Sequence, residues 1–515
     1  MLSQVLHSFE FSLGTMFHEA SMRHGKTPVV LDRPLASFDS TTDTYTFSEL
    51  AALVDELCAR LWAAGLRAGQ QVAVHKTENF DLALLTSAAS RIGATPVLLS
   101  PGLDGGVVAA LLERLGDPWL ITDTAKLAGE LRDQPIDDLV AHTFVSDAQP
   151  NGSRSADFRP TRIHPREVAL ITHTSGTTGI PKFVAHTPNA MWWRLLPQMA
   201  LAARIPRSET AAFCTSYAHS RSYHSLGVAL RKGMPLVLLS DPATDNAEEI
   251  LARTKPALLE TYPNNFVMWE SLVDSKRRPL ANVRYFTSTF DAIHPRTVQR
   301  LLDGSARRGP MYVQLYGQSE TGPITARRYT RKSAASIDGR CVGRPLWPLT
   351  GVRAVDAQGR PRPRGEVGYV QVFTRGRART YVGEHARYAR QVDGRWWLMG
   401  DMGQVDRWGR LHLLDREVDQ IDAVDSNLEL EDKLLSLLDE LSEVVVIPDA
   451  EGAPVPVVCV HGDAPLDADR WKRAVADMPF LRDPIQLPFT AVPRTATWKV
   501  KRLELAERIK ADQNA

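Results

Sequence analysis

The sequence predicts an α/β protein with more than one domain, and three observations carry that expectation. Helix-like and strand-like apolar patterns alternate over roughly the first 400 residues, which is the pattern of layered α/β architecture. From about Val352 the texture shortens into Gly-punctuated, strand-like segments such as Gly368-Tyr369-Val370-Gln371-Val372. Roughly the last hundred residues form a separate α+β pattern that ends in a basic tail. At 515 residues the chain exceeds one ordinary domain, and its 43% apolar content can fill sizeable cores.

The elements follow in order. Ser48 to Ala64 reads as a helix, because Leu50, Leu53, Val54, Leu57 and Leu61 fall on one face. Gln71-Val72-Ala73-Val74 reads as a strand, and Leu82 to Ile92 as a second helix. Pro96-Val97-Leu98-Leu99 is strand-like and is broken by Pro101-Gly102. Val168-Ala169-Leu170-Ile171, Pro235 to Leu239 and Tyr312 to Leu315 read as further buried strands. Asn151-Gly152-Ser153-Arg154-Ser155 reads as an exposed loop. In the last section Asp432 to Leu441 reads as a helix, Val444 to Ile447 and Pro456 to Val460 as strands, and Leu466 to Met478 as a helix. The boundary falls near Asp415-Arg416-Glu417, which gives domains of 1–415 and 416–515.

Composition excludes several classes. Sixty-one basic and 60 acidic residues give a net charge of +1, so nothing attracts a nucleic acid or an anionic membrane surface. The four cysteines (Cys58, Cys214, Cys341, Cys459) have no metal-binding spacing and read as free thiols of a reducing compartment. No basic N-terminal region precedes an apolar core, and no apolar run approaches the ~18 residues of a membrane span. A cytoplasmic protein is the expectation.

The densest chemistry lies in Thr174-Ser175-Gly176-Thr177-Thr178-Gly179-Ile180-Pro181-Lys182, after a predicted strand. Glycine backbone can approach a phosphate closely and aim N–H groups at its oxygens. The hydroxyls add donors, and Lys182 adds a point charge. The order is not that of the common P-loop, which runs Gly-Lys-Ser/Thr into a helix. The nonapeptide resembles the signature loop of the adenylate-forming superfamily of acyl-CoA synthetases, adenylation domains and luciferases. The likeness spans nearly the whole chain, from Tyr45-Thr46-Phe47-Ser48-Glu49-Leu50 to Arg502. It implies a large N-terminal α/β domain with layered sheets and a β-rich subdomain, and a small mobile α+β C-terminal domain.

Further motifs carry the same resemblance. Tyr316-Gly317-Gln318-Ser319-Glu320-Thr321 resembles Tyr-Gly-x-Thr-Glu, which implies that the Tyr316 ring lies on adenine. The Ser319 hydroxyl would then touch phosphate, and Glu320 would bind Mg²⁺ as a hard oxygen ligand. Met399-Gly400-Asp401-Met402 sits where the family has Thr-Gly-Asp-Leu, which implies ribose binding by Asp401, with Arg416 forking onto ribose or phosphate. Ser288-Thr289-Phe290-Asp291 occupies the adenine-lining segment and places Thr289 in the nucleotide site. His219, with His224 as competitor, falls where the family carries a gate between acyl pocket and nucleotide. Pro493 to Arg502 resembles Pro-x-Thr-x-x-Gly-Lys-Ile-x-Arg, which makes Lys499 the mobile lysine of adenylation.

The resemblance implies an acyl-CoA ligase. It would convert a carboxylic acid, ATP, Mg²⁺ and coenzyme A to a thioester through an acyl-adenylate. Trp192, Trp193, Tyr217 and Tyr223 suggest a hydrophobic acid, and the acid-free stretch Tyr217 to Leu226 argues against an amino acid. Some positions depart from the pattern. Trp498 replaces the Gly before Lys499, and Ser288 to Asp291 replace adjacent glycines. Asp415, Val418 and Asp425 alter the hinge and pantetheine-tunnel segments. A bulky Trp498 is expected to hinder insertion of Lys499. Two alternatives follow: a thioesterification-only enzyme that takes preformed acyl-AMP from a partner adenylating enzyme, and a non-catalytic acyl- or adenylate-binding protein. Self-association into a homo-oligomer is compatible with the sequence.

Overall fold

A computed structural model describes residues 11–148, 158–174, 180–334, 339–416, 421, 424, 426–495 and 499–513. Its frame is two layered sheets. One holds Thr380–Tyr381, Phe183–His186, Leu170–His173, Thr95–Leu98, Gln71–Val74, Trp119–Thr122 and His142–Val145 in that order. The inner strands are parallel and apolar on both faces, as expected of strands covered by helices on both sides. The second sheet runs from Thr44–Thr46 and Pro28–Leu31 through parallel Leu236–Leu238, Ala211–Cys214, Leu258–Thr261, Tyr285–Ser288 and Met311–Gln318. It turns antiparallel at Gly322–Thr330. It then continues through Cys341–Pro345 into the β-rich part, formed by Leu411–Arg416, Trp396–Val405, Val367–Thr374 and Thr350–Val355.

The helices form where the apolar spacing places them. Phe47–Ala64 starts with a capping box, in which the Thr46 side chain accepts from the Glu49 N–H and Glu49 reaches back to the Thr46 N–H. Gly65 ends it in the left-handed region at φ +109, where its N–H bonds the last carbonyls. Leu50, Val54, Leu57 and Leu61 are buried as the spacing requires, whereas Leu53 is only half-buried.

The smaller C-terminal part has its own three-stranded sheet of Leu441–Pro448, Pro454–Val460 and Ile485–Gln486. Its helix is Asn427–Leu437, five residues earlier than the sequence suggests, because Ser426 caps it by accepting from the Glu429 N–H. Two apolar clusters pack the faces of that sheet, and both are built from residues 421 onward. Among the described residues no helix is long and apolar enough to cross a membrane.

Candidate active site

The strand Leu170–His173 delivers the chain into the phosphate-type loop. The Thr174 N–H donates to the Lys182 carbonyl (3.0 Å), and the Lys182 N–H donates to Thr174 Oγ1 (3.1 Å). These bonds close the loop's mouth. Ser175, Gly176, Thr177, Thr178 and Gly179 lie outside the described residues. The Lys182 ammonium sits 4.9 Å from the centroid of the Tyr381 ring. Tyr381 comes from the two-residue strand paired against Phe183–His186, and its hydroxyl donates to Glu320 Oε1 (2.6 Å). Burial and the neighbouring Glu320 carboxylate push the Tyr381 phenol up, so it remains a donor. Lys182 and Glu320 therefore meet at one aromatic ring.

Glu320 is held from behind as well. Its carbonyl accepts from the Ala378 N–H (2.6 Å) and from Arg194 Nη2 (2.9 Å). Arg194 lies on the helix Pro188–Ala202, is buried, and also donates from Nε to the Gly376 carbonyl (2.6 Å). A Cβ on Gly322 or Gly376 would stand 2.7 or 2.6 Å from the Arg194 side chain, so glycine makes the channel for it. Burial lowers the Arg194 pKa to about 10, and among the described residues no carboxylate pairs with it.

Tyr316 and Asp401 are also brought together, the Tyr316 hydroxyl donating to the Asp401 carboxylate. Tyr316 precedes a register shift at Gly317, where a Cβ would collide with the Gly322 carbonyl. Asp401 faces Arg416 across the strand pair. Val418, Asp425, Trp498 and the side chains of Asp415 and Arg416 lie outside the described residues.

A cavity of about 90 Å³ lies at the centre, lined in part by His173, Arg194, Ser216, His219, His224, Thr289, Phe290, Ser319 and Lys499. His219 caps the helix Ser220–Lys232, its Nδ1 accepting from the Arg221 N–H (3.1 Å), which leaves the proton on Nε2. Burial, with His173 and Lys499 adding to it, lowers the His219 pKa to about 3. The ring is thus a neutral donor at neutral pH. His224 is likewise lowered to about 3 by burial, its Nδ1 against the Ser220 carbonyl (2.6 Å). Both rivals for the gate position line one cavity. Phe290 holds φ +87, a conformation natural to glycine, and its ring packs edge-on to His219 and Tyr262. Ser288 is turned away from the cavity by a bond from the Tyr312 hydroxyl (2.5 Å).

One expectation changes here. Trp192, Trp193, Tyr217 and Tyr223 do not line this cavity. Trp192 and Trp193 instead lie under Arg231 and Arg375, Tyr217 packs on Phe80, and Tyr223 is fully buried. The cavity wall carries the cations Arg194, Arg221 and Lys499, and among the described residues no carboxylate lines it. Lys499 also lines the cavity. Its hairpin is closed by Thr495 N–H to Lys499 carbonyl (2.8 Å) and Lys499 N–H to Thr495 Oγ1 (3.1 Å). Arg494 on Glu443 and Arg502 on Glu431 (2.6 and 2.8 Å) anchor the hairpin to the small sheet and its helix.

Sequence reasoning missed Arg194, Tyr381 and the pair Ser216–Glu78. Ser216 Oγ donates to Glu78 Oε2 (2.5 Å), and the Tyr217 N–H donates to Oε1 (2.8 Å). Burial raises the Glu78 pKa to about 7 against these bonds. None of these residues belongs to a local motif, because their partners lie far along the chain.

Comparison with known proteins fits this geometry. A family model described as AMP-binding enzyme matches residues 17–382. The chain is 45% identical to a 3-amino-2-hydroxy-4-methoxybenzoate diazotase from Streptomyces cremeus, across 99% of this chain and 97% of that protein. It is 26% identical to a 2-succinylbenzoate–CoA ligase from Geobacillus kaustophilus, across 90% of this chain and 93% of that one. The crystal structure of an anthranilate CoA ligase in complex with anthranoyl-AMP shares the fold with a TM-score of 0.83. It covers 98% of this chain and 99% of its own at 18% identity. The chain therefore belongs to the AMP-binding enzyme family and is an adenylate-forming ligase.

Proposed function

We propose that this enzyme is an ATP-dependent diazotase that activates nitrite and passes its nitrogen to an aromatic amine. The observation that carries this reading is the 45% identity to a benzoate diazotase over nearly the whole of both chains. The small, basic cavity supports it. Nitrite and a carboxylate are both planar anions with two equivalent oxygens, so a site that aims one at an α-phosphate suits the other. One nitrite oxygen attacks the α-phosphorus of ATP, pyrophosphate leaves, and a nitrosyl-adenylate remains. The amine nitrogen then forms the N–N bond, and AMP leaves with the electron pair of the broken N–O bond.

The residues have distinct roles in this reading. Lys182, with the hydroxyls and glycines from Thr174 to Gly179, holds the phosphates. Tyr316, Thr289, Asp401 and Arg416 hold the nucleoside, and Ser319 meets phosphate. Lys499 stands beside the attacking anion and offsets the charge that develops there. The neutral His219 donates from Nε2 to an oxygen of the bound anion. Mg²⁺ keeps most of its waters and uses few protein ligands, so the single hard carboxylate of Glu320 suits it, and the ion would neutralise triphosphate charge. The small C-terminal part would turn about a joint following Arg416.

A second reading is the acyl-CoA ligase, favoured by the likeness to a succinylbenzoate–CoA ligase over 90% of this chain. One experiment separates the readings. The enzyme is given MgATP and either nitrite with an aminohydroxybenzoate, or an aryl carboxylate with coenzyme A. Pyrophosphate, azo-coupled dye and thioester are then measured. Nitrite-dependent pyrophosphate and dye formation is expected. Vigorous thioester formation with no nitrite response would overturn the diazotase reading. Thioester from supplied acyl-AMP alone would leave thioesterification only, and no turnover at all would leave a binding protein.

A further inference from the structure

We infer that Ser216 and Glu78 form a proton relay that takes a proton from the amine in the N–N bond-forming step and returns it when water leaves. The inference rests on the diazotase reading above.

The chemistry demands such a group. Attack of an ArNH₂ nitrogen on the nitrosyl-adenylate gives ArNH–N=O, AMP and one proton. The remaining N–H proton moves to the nitroso oxygen, giving ArN=N–OH. One proton must then be added to that hydroxyl so that water departs and ArN₂⁺ remains. A group that first accepts and then gives back a single proton closes the cycle without net uptake. The cavity wall has few candidates. Arg194, Arg221 and Lys499 are cations, and His219 and His224 are buried rings held far below neutral protonation. His173 is occupied on both nitrogens, by the Ser100 N–H (3.0 Å) and the Thr174 carbonyl (2.8 Å).

Ser216 is different. It faces the cavity, and its Oγ donates to Glu78 Oε2 at 2.5 Å. Ser216 Oγ also accepts from the Ala218 N–H (3.2 Å), which leaves a second lone pair for an amine proton. Glu78 comes from the other sheet, just after the strand Gln71–Val74, so the bond crosses between the two layers. Two bonds fix its orientation without neutralising it. Groups facing Glu78 are Lys76 and Asp81 from its own segment, Cys214, Tyr217 and Tyr223 near the cavity turn, and Tyr262 at the head of its helix. Lys76 is paired with Asp81 (2.7 Å), and its pull on Glu78 is smaller than the opposing effect of burial. Burial brings Glu78 to about 7, where giving and taking a proton are balanced.

The test measures diazo product per pyrophosphate released, with MgATP, nitrite and an aminohydroxybenzoate. Glu78→Gln keeps the size and one acceptor for the Tyr217 N–H, while its amide nitrogen can only donate toward Ser216 Oγ, so it takes up no proton. The ratio is expected to fall at least tenfold, with kcat for dye formation affected more than KM. The wild-type pH profile of the ratio should bend near neutrality, and that bend should vanish in Glu78→Gln. Ser216→Ala should lower the ratio similarly, and Ser216→Thr should restore most of it, which decides the matter should Glu78→Gln fail to fold. Ratios equal to wild type in Glu78→Gln, or in Ser216→Ala, would overturn the relay while leaving the nitrite reading intact. Absence of nitrite-dependent pyrophosphate from wild type would instead overturn the reading on which the relay rests.

Discussion

Single side chains in this site act through what they hold in place. Tyr381 joins Lys182 to Glu320, with its ring under the ammonium and its hydroxyl on the carboxylate. Tyr381→Phe removes the hydroxyl and keeps the ring. It should raise the Mg²⁺ concentration needed for half-maximal pyrophosphate release, while Glu320→Gln should lower the rate itself by ~10²–10³. Magnesium titrations of both variants check this, and identical curves would remove Glu320 from the metal site. Phe290 shows a different economy of structure. Its backbone holds a glycine's conformation, and two edge-on ring contacts compensate. Each such contact contributes about 0.5–1.5 kcal/mol, whereas a strained non-glycine backbone costs about 1–3 kcal/mol. Phe290→Gly should therefore shift the thermal midpoint little and enlarge the cavity. Pyrophosphate release driven by bulky aryl carboxylates should rise at least tenfold over wild type.

Elements were the more legible part of the sequence. The helix Phe47–Ala64 announces itself through apolar spacing, a Thr46–Glu49 box and a terminal glycine, all local features. Thr46→Ala should cost about 1 kcal/mol of unfolding free energy, measured in denaturant, and an unchanged midpoint would show the cap idle. The strands before Thr174 and through Tyr316 were legible for the same reason. The motif residues come together in part: Lys182 and Glu320 meet at Tyr381, Tyr316 meets Asp401, and Ser319 and Lys499 line one cavity. The place of Arg194 in the cavity was not legible. Trp192 and Trp193 look like pocket lining in sequence, yet the helix Pro188–Ala202 presents Arg194 to the cavity instead. That choice depends on glycines at 322 and 376, far along the chain, which no local pattern reveals. Tyr381 and Glu78 escaped notice likewise, since each acts across a distance that only the sheets close.

Across the whole molecule, buried histidines set the response to acid. His75 is lowered to about 4 and His219 and His224 to about 3, each chiefly by burial. Below the ordinary histidine value of 6.5 the unfolded chain takes up these protons and the folded one does not, so stability falls as pH drops toward 4. Each group adds a slope of up to about 1.4 kcal/mol per pH unit. Glu78 runs the other way, because its raised value lets the folded state take a proton between about 7 and 4.5. His294 is lowered to about 4 as well and buried Glu443 is raised like Glu78; four histidines outweigh two carboxyls, so calorimetric midpoints should decline from pH 7 to pH 5. His224→Gln should make that decline shallower. A midpoint that stays level or climbs on acidification would contradict this balance.

The channel that glycines open for Arg194 has a thermodynamic consequence. A guanidinium is stripped of water there and, among the described residues, hydrogen-bonds carbonyls alone, with the Glu320 charge nearby but unpaired to it, so burial leaves its charge incompletely compensated. Any anion that seats in the cavity settles it. Occupancy and folding are thereby linked. The protein should become harder to unfold in proportion to the logarithm of anion concentration, with a gain near 2.7 kcal/mol at about a hundredfold excess over the dissociation constant. Arg194→Met should be more tolerant of an empty cavity and less responsive to a filled one. Nucleotide or nitrite added during a melt would then read out how far this enzyme relies on its substrate to complete its own interior.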